Sequence, residues 1–489
     1  MSLIDDVQAA PRGGAASWPP AGHKDRLRQQ RRWQALARND RGEVATMWRE
    51  ELKEMLDHDQ ARPLYPAPKL ASRIIASFLF GEAARITMGE GTADTALEAW
   101  RDATGVDLAL REGARTCAVQ GEVYLRPVWD QELSPWPLLT VEPGRRVIPA
   151  FRHRILVEAI VFSSLATDEG TVWRLLEHHE PSVITSYLFK GTEQELGKRH
   201  TIGASGTPSR WADVEEEVDT ETEQLTLVHV PFDRDSDDAH GISLFDGTEG
   251  LILGIHRLYM QEQHDAELAR RRIALPKSYL TRDSQGRPGW DRTTDLLELA
   301  DEAAGTVGAE TPIKPIEFHD DNVQRERIQG RLRDFFLACG IAPQTLGEEA
   351  GTAESGTARK LAQSLTIQTV ADAAGYWVHA LRVAIPLALF LGSRHLKPTE
   401  PAIPQDLPVP NVEPQDGFVA DQVEEANVVA ILDSADAISP EEKVERLHPD
   451  WPEEDKALEV QRIKDAAPVA SVNPMSNPFA AAPAEGAGE

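Results

Sequence analysis

Cysteine is nearly absent from this sequence. Cys117 and Cys339 are the two occurrences in 489 residues, each inside an apolar-patterned stretch. A disulfide framework is therefore excluded as the source of stability, and the pair read as buried free thiols of a reducing compartment. Cations are scarce too: 51 Lys and Arg face 80 Asp and Glu, for a net charge of −29. A protein that grips nucleic acid through its phosphates presents a basic face, so this balance argues against DNA binding by composition. It leaves room for a surface past which DNA slides without being held. Long apolar runs are missing as well. LILGIHRLYM and WVHALRVAIPLALFLG are both interrupted by charge or histidine, so no membrane span is expected. The opening MSLIDDVQAAPRGG lacks a basic stretch followed by an apolar one, so no signal peptide is expected. These absences predict a soluble chain made in the cytoplasm.

Catalytic signatures are missing in the same way. Gly351 and Gly356 enclose four residues as a phosphate-binding loop does, but Thr357 and Ala358 follow where Lys and Ser/Thr belong. Arg359 and Lys360 lie further along. Glu177, His178, His179 and Glu180 adjoin, yet two successive histidines on a strand point to opposite faces and cannot converge on one zinc ion. Asp233, Asp235, Asp237 and Asp238 resemble an oxygen-rich calcium loop, but Leu244 stands where the bidentate glutamate is needed. There is no Gly-x-Ser-x-Gly elbow and no His-Glu-x-x-His. The sequence predicts no catalytic residue, no cofactor and no bound metal.

What is present is a 41% hydrophobic fraction, enough for a substantial core, in a chain long enough for two or more structural regions. Residues 1–22 read as a Pro/Gly/Ala-rich flexible arm. HKDRLRQQRRWQALARND follows as a basic helix and EVATMWREELKEML as another. PAPKLASRIIASFLFG predicts a helix opened by Pro68 and closed by Gly81, with a stripe of Leu70, Ile74 and Phe78 flanked by Ile75 and Leu79. ALREGARTCAVQG predicts a helix ending near Gly121, before the strand EVYLRPVWD. LLTVEP, RILVEAIVFSS, TVWRLLEHH and SVITSYLFK read as consecutive antiparallel strands, residues 191–222 as a polar loop or weak hairpin, and LTLVHVPFD as a last strand.

Long helices dominate the remainder. One is predicted from Ser243, as N-cap, to Arg271. The strands IALPKSYLT and IKPIEFHD bracket a turn-rich, polar excursion. A second helix, Asn322–Cys339, carries the stripe Ile328, Leu332, Phe335 and Phe336 and is closed by Gly340. A third, Ser355–Leu391, carries Leu361, Leu365, Val370, Ala374, Trp377, Leu381, Ile385 and Leu389, with Pro386 bending its last turns. Residues 393–489 hold 20 acidic against 7 basic residues, a net of −13, with a helical part over 418–465 and a disordered Pro/Ala tail.

Four stretches in this order carry a family resemblance: PKLASRIIASFLFGEAARIT, EGARTCAVQGEVYLRPVWD, VHVPFDRDSDDAHGISLFDGTEGLI and FFLACGIAPQTLGEEAGTAESGTARKLAQS. Together they span residues 60–390 and resemble the portal, or head–tail connector, proteins of long-tailed bacteriophages. The resemblance implies an α+β portal fold. Its parts would be an N-terminal arm (1–22), a mixed α/β wing (23–242), a first stem helix (243–271), a small strand-containing clip (272–320) and a second stem helix (321–340). A tunnel loop (341–356), a tunnel helix (355–392), a helical crown (393–465) and a disordered tail (466–489) would follow.

The same resemblance implies a dodecameric ring at one capsid vertex of the virion and a channel for double-stranded DNA in packaging and ejection. Its partners would be the terminase large subunit, a head–tail adaptor, and the major capsid and scaffolding proteins. It implies no enzymatic activity and no membrane. The DNA-facing loop would be Gly347, Glu348, Glu349, Gly351, Thr352, Glu354, Ser355 and Gly356, whose carboxylates repel phosphate. Lys277, Arg282 and Arg287 would be the clip cations that face the motor. Two other classes remain open on sequence: a DNA-processing packaging enzyme, ATPase or nuclease, and a scaffold or adaptor without a channel.

Overall fold

A computed structural model describes residues 3–8, 16–49, 51, 64–89, 91–130, 132–167, 170–268, 272–276, 296–299, 314–316, 323–346, 363–395, 403–404, 406–414, 429–432, 438–448, 451 and 453–466. The chain divides into two units, Met1–Thr352 with Arg359–Phe418 and Ala353–Ala358 with Val419–Glu489. The fold mixes helices and sheets.

The first unit opens with α1 (Leu3–Gln8), α2 (Lys24–Arg38) and α3 (Arg41–Met47). α2 ends because Asn39 turns left-handed at φ 59°, and α3 starts because the Asp40 carboxylate accepts the Glu43 N–H. Residues 1–22, read as an arm from their composition, contain α1, whose Leu3, Ile4 and Val7 are buried.

Next come α4 (Ala67–Phe80), β1 (Arg85–Thr87), α5 (Thr92–Thr104) and α6 (Val106–Gln120). α4 has its expected extent, but its buried stripe is not the expected one. Ala67, Ala71, Ile75 and Leu79 face inward, Leu70 is exposed, and Ile74 and Phe78 are half-buried. α4 lies against α6, whose buried residues include Ala114 and Ala118. A β-carbon at Gly113 would sit 2.9 Å from the Val141 methyls, so only glycine permits α6 to lie this close to the sheet behind it.

The expected run of four consecutive strands separates into two sheets. β2 (Glu122–Val128) pairs with β3 (Leu138–Pro143) on one side and with β10 (Val228–Pro231) on the other. A strand not anticipated, β4 (Val147–Arg152), starts the second sheet. It pairs with β5 (Ile155–Ala166), then β6 (Val172–Glu180), then β7 (Val183–Gly191), all antiparallel. The polar segment 191–222 adds two short strands along β7, β8 (Lys198–His200) and β9 (Glu217–Asp219). One face of this sheet packs Ile148, Ile160, Phe162, Leu176 and Phe189 under α1 and Trp18.

Past β10 the chain turns helical: α7 (Glu249–Leu268), then α8 (Val323–Ala338). Ser243 is not the N-cap of α7, which starts six residues later. Its hydroxyl donates instead to the Val119 carbonyl at 2.7 Å and accepts from the Phe245 N–H, fixing a turn against the end of α6. Phe245, before α7, stacks on Phe335 near the end of α8, so the two helices run antiparallel. Between them lies a three-stranded sheet of β11 (Arg272–Pro276), β12 (Leu296–Leu299) and β13 (Lys314–Ile316), with β11 central. α8 follows expectation: Ile328, Phe335 and Phe336 are buried, Leu332 is partly so, and Gly340 ends it at φ 67°.

The described part of the third long helix is α9 (Ser364–His395), which continues beyond Pro386. It is long and apolar enough to cross a membrane by length and composition. Its stripe is spent inside the protein: Ala374, Trp377, Leu381, Ile385 and Leu389 are buried against α4, β2, β3 and β10. Trp377 meets Phe80 edge-to-face at 5.1 Å. Leu365, expected in the stripe, is exposed, and Leu361 lies outside the described residues. β14 (Asn411–Glu413) closes this unit by pairing with β1.

In the second unit, α10 (Pro440–Leu447) and α11 (Glu453–Ala466) stand where a helical segment was expected. They are joined by Lys456–Glu445 and Lys464–Glu441 ion pairs at 2.8 and 2.6 Å. The tail beyond residue 466 lies outside the described residues.

Trp377 is about 1% exposed at the centre of the largest core. Replacing it with alanine is expected to cost about 3–5 kcal/mol of unfolding free energy, read from denaturant melts. A loss below about 1 kcal/mol would mean that α9 is not the core helix described.

Candidate functional site

The loop singled out by sequence, Gly347, Glu348, Glu349, Gly351, Thr352, Glu354, Ser355 and Gly356, lies outside the described residues, but both of its roots are described. The leading root is the left-handed Gly340, followed by a 3-10 turn, Pro343–Leu346. The trailing root is the first turn of α9. Buried Thr366 joins them: its hydroxyl accepts the Ala342 N–H at 2.8 Å and lies 3.0 Å from the Thr345 hydroxyl. The Thr369 hydroxyl donates to the Gly340 carbonyl at 3.0 Å. A β-carbon at Gly340 would fall 2.2 Å from that hydroxyl. The loop is thus carried on a base of fixed geometry, whatever path it takes above.

The clip cations Lys277, Arg282 and Arg287 also lie outside the described residues. In chain order they fall between β11 and β12.

A buried carboxylate organises the approach to α7. Glu122, at the first position of β2, is fully buried. Arg26 of α2 pairs with it, His229 of β10 contacts it at 2.9 Å, and the Gly241 N–H donates to it at 3.2 Å. Gln30 of α2 donates at 3.2 Å, and His240 lies at 3.4 Å. Burial works to raise the Glu122 pKa, but Arg26 and the hydrogen bonds from His229 and His240 outweigh it and hold the carboxyl well below its usual range. Glycine makes the junction close enough. The backbones at Gly121 and Gly241 approach so nearly that a β-carbon on Gly241 would lie 2.0 Å from the Gly121 carbonyl oxygen. Sequence reading missed Glu122, because its partners come from 92 to 119 residues away along the chain.

The basic helix is real, and one of its faces carries a row of exposed cations. Lys24, Arg28, Arg31 and Arg38 are exposed along α2, with Arg145 and Arg146 beside them. Arg145 is pushed down by burial and by the neighbouring Arg146, Arg38 and Arg31. A groove of about 470 Å³ runs along this face, lined by Lys24, Arg28, Arg31, Arg32, Glu43 and Met47.

The adjacent acidic and histidine residues of β6 separate as the strand alternation requires. Glu177 makes a two-point ion pair with Arg126 at 3.1 and 2.6 Å. His179 lies 2.9 Å from the Thr226 hydroxyl on one face. His178 points to the other, where it meets Glu180 of its own strand and Glu158 of β5. Glu158 was not singled out from sequence, because the β5–β6 register that brings it there is not written locally. The exposed carboxylates of Asp233, Asp235 and Asp238 accept the backbone N–H groups of Arg234, Asp237 and His240, and that of Asp237 accepts the Ser236 hydroxyl, so all four are engaged in local turns. Burial raises both thiols, Cys117 and Cys339, above the ordinary cysteine range, which removes nucleophilic thiolate at neutral pH.

No family model and no curated protein matches the chain. Among solved structures, the chain is similar to a protein in the virion of the native gene transfer agent particle. That match has 14% identity and a TM-score of 0.43, covering 78% of this chain and 89% of the other. It is similar to a chain in the neck of the empty gene transfer agent particle, computed with C6 symmetry, at 15% identity and TM-score 0.43, covering 78% and 90%. A third similar structure is the neck of the native particle, computed with C12 symmetry, at 14% identity and TM-score 0.39, covering 78% and 89%.

The buried histidines set a pH dependence. Burial is the main cause that holds His23 and His256 down to about 4, His179 well below its usual value, and His229 below it. All four are neutral in the fold, whereas an unfolded histidine takes up a proton near pH 6.5. Below that pH the unfolded chain binds more protons, so stability falls as pH drops from about 6.5 toward 4. Glu122, held low, adds a contribution that is complete above the unfolded carboxyl pKa and is lost only in stronger acid. The melting temperature is expected to be lower at pH 5 than at pH 7; an equal or higher value at pH 5 would contradict the burial of these rings. Glu122→Ala is expected to cost about 3–5 kcal/mol in denaturant unfolding, because it strands Arg26.

Proposed function

We propose that the chain is a portal-type subunit. In this reading it closes into a ring at a capsid vertex and forms the channel through which DNA is packaged and ejected. The observation that carries the reading is the order along the chain of α7, small sheet, α8, left-handed Gly340, the rooted loop ends and α9. An antiparallel helix pair sends the chain out to a small sheet and returns it. A turn of fixed geometry then presents a glycine- and glutamate-bearing segment ahead of a core helix.

The parts suit this task. A ring needs a heterologous contact repeated around an axis. α8 buries one narrow edge and leaves Arg325, Glu326, Arg327, Arg331, Arg333 and Asp334 exposed, a mixed-charge face for a neighbouring copy. Gly347, Gly351 and Gly356 give the loop freedom to reshape, while Glu348, Glu349 and Glu354 repel phosphate, so that duplex DNA slides past. In this assignment residues 23–242 are the wing, 272–320 the clip, 355–392 the tunnel helix and 393–465 the crown. The clip docks the terminase large subunit and later the adaptor. The protein works in the virion without an active site, a cofactor or a membrane.

Light scattering on the purified full-length protein is expected to give a mass near twelve subunits; a monomer under all assembly conditions would contradict the reading. Replacing Glu348, Glu349 and Glu354 with lysine is expected to reduce packaged DNA at least tenfold, with particle assembly unchanged. An unaltered yield of packaged DNA would remove the loop from the channel.

A further inference from the structure

We propose that His178 and Glu180, oriented by Glu158, form a binding site for a divalent transition-metal ion on the α1-covered face of the six-stranded sheet. The inference is independent of the portal reading. β5 and β6 pair so that Ala159 stands opposite His179, which puts Glu158, His178 and Glu180 together on the other face, at one end of the two strands. One ligand atom from each lies within 4.8 Å of the others.

The His178 ring decides the chemistry. Its side chain is about 1% exposed, so its nitrogens must be satisfied from within. Nε2 lies 3.2 Å from Glu158 Oε2, and the carboxylate is an acceptor, so Nε2 carries the hydrogen. Glu158 is itself fixed, because the Leu3 N–H at the start of α1 donates to the same oxygen at 3.0 Å. The other nitrogen, Nδ1, has no hydrogen-bond partner. It faces Glu180 Oε2 at 3.4 Å. In the neutral ring this sets a lone pair against a carboxylate, two acceptors with nothing between them. Only a cation relieves that arrangement, and two cations compete for the place: a proton on the ring or a metal ion between the two atoms.

The geometry favours a metal. An imidazole nitrogen and a carboxylate oxygen, each about 2.0–2.2 Å from a tetrahedral zinc ion, stand roughly 3.3 Å apart. The Nδ1–Oε2 distance of 3.4 Å is that edge. A ligating histidine held by a carboxylate on its far nitrogen is the usual way a metal-binding ring is oriented, and Glu158 does this. One nitrogen with carboxylate oxygen selects a borderline ion such as Zn²⁺ over Mg²⁺ or Ca²⁺. The two carboxylates balance its charge, and Glu180, at the partly exposed rim, leaves the remaining positions to water. Because Glu158 also holds Leu3, an ion here would tie the start of α1 to the sheet.

The test is titration of full-length, metal-stripped protein with ZnCl₂ at pH 7. It is followed by calorimetry and by nitrogen-15 NMR of the histidine rings. The expected result is one specific equivalent that shifts the His178 Nδ1 resonance. Glu180→Gln should weaken binding at least tenfold, Glu158→Gln about 10–100-fold, and His178→Gln should abolish the equivalent. Glu180 is at the rim, so E180Q reports on the site even if H178Q fails to fold. The proposal is overturned if that equivalent survives E180Q unchanged. It is also overturned if wild-type protein binds no zinc; protons on both His178 nitrogens would then mark the proton as the counter-ion.

Discussion

A single buried carboxylate holds together the part of this protein on which the long helices depend. Glu122 has no access to solvent, so its charge must be answered inside the fold. Arg26 answers from α2, His229 from β10, and the Gly241 N–H and His240 from the segment that leads into α7. Four separate pieces of chain are therefore brought to one point. The direction in which the chain leaves that point toward Ser243 and Phe245 decides where α7 starts. Through the Phe245–Phe335 stack, it also decides how α8 returns.

The features legible in the sequence were those set by neighbours along the chain. Gly121 and Gly340 end their helices through left-handed backbone, and the α8 stripe of Ile328, Phe335 and Phe336 is buried as its spacing indicates. Features set by distant contacts were not legible. Leu70 looked like core by its side chain, but α4 packs against α6 along Ala67, Ala71, Ile75 and Leu79, which leaves Leu70 outside. β3 joined β2 and not the larger sheet, because β4 intervenes with an unremarkable sequence that includes Pro149. Ser243 had the chemistry of a helix cap, yet a closer pair of carbonyls at the end of α6 took its hydroxyl. Glu122 and Glu158 were invisible for the same reason. A glutamate becomes a site only when the register of another strand or helix supplies its partners.

Charge is distributed with the same logic. The chain carries −29 overall, yet α2 keeps exposed cations along one face with Arg145 and Arg146 beside them. The acidic excess is heaviest beyond residue 393, and glutamates fill the segment between Gly347 and Gly356. In the proposed ring, the glutamates belong where DNA passes and must not be held. The fixed base formed by Gly340, Thr366 and Thr369 would let that segment reshape without disturbing the core.

In the proposed ring, residues 347–356 stand at the wall of the passage. Cryo-electron microscopy of the assembled full-length protein, viewed along its axis with a gold label on a cysteine introduced at Gly351, tests this most directly. The account predicts a closed ring with a hole wide enough for duplex DNA and label density at the rim of that hole. Label on the outer circumference, or an assembly without a central hole, would contradict it.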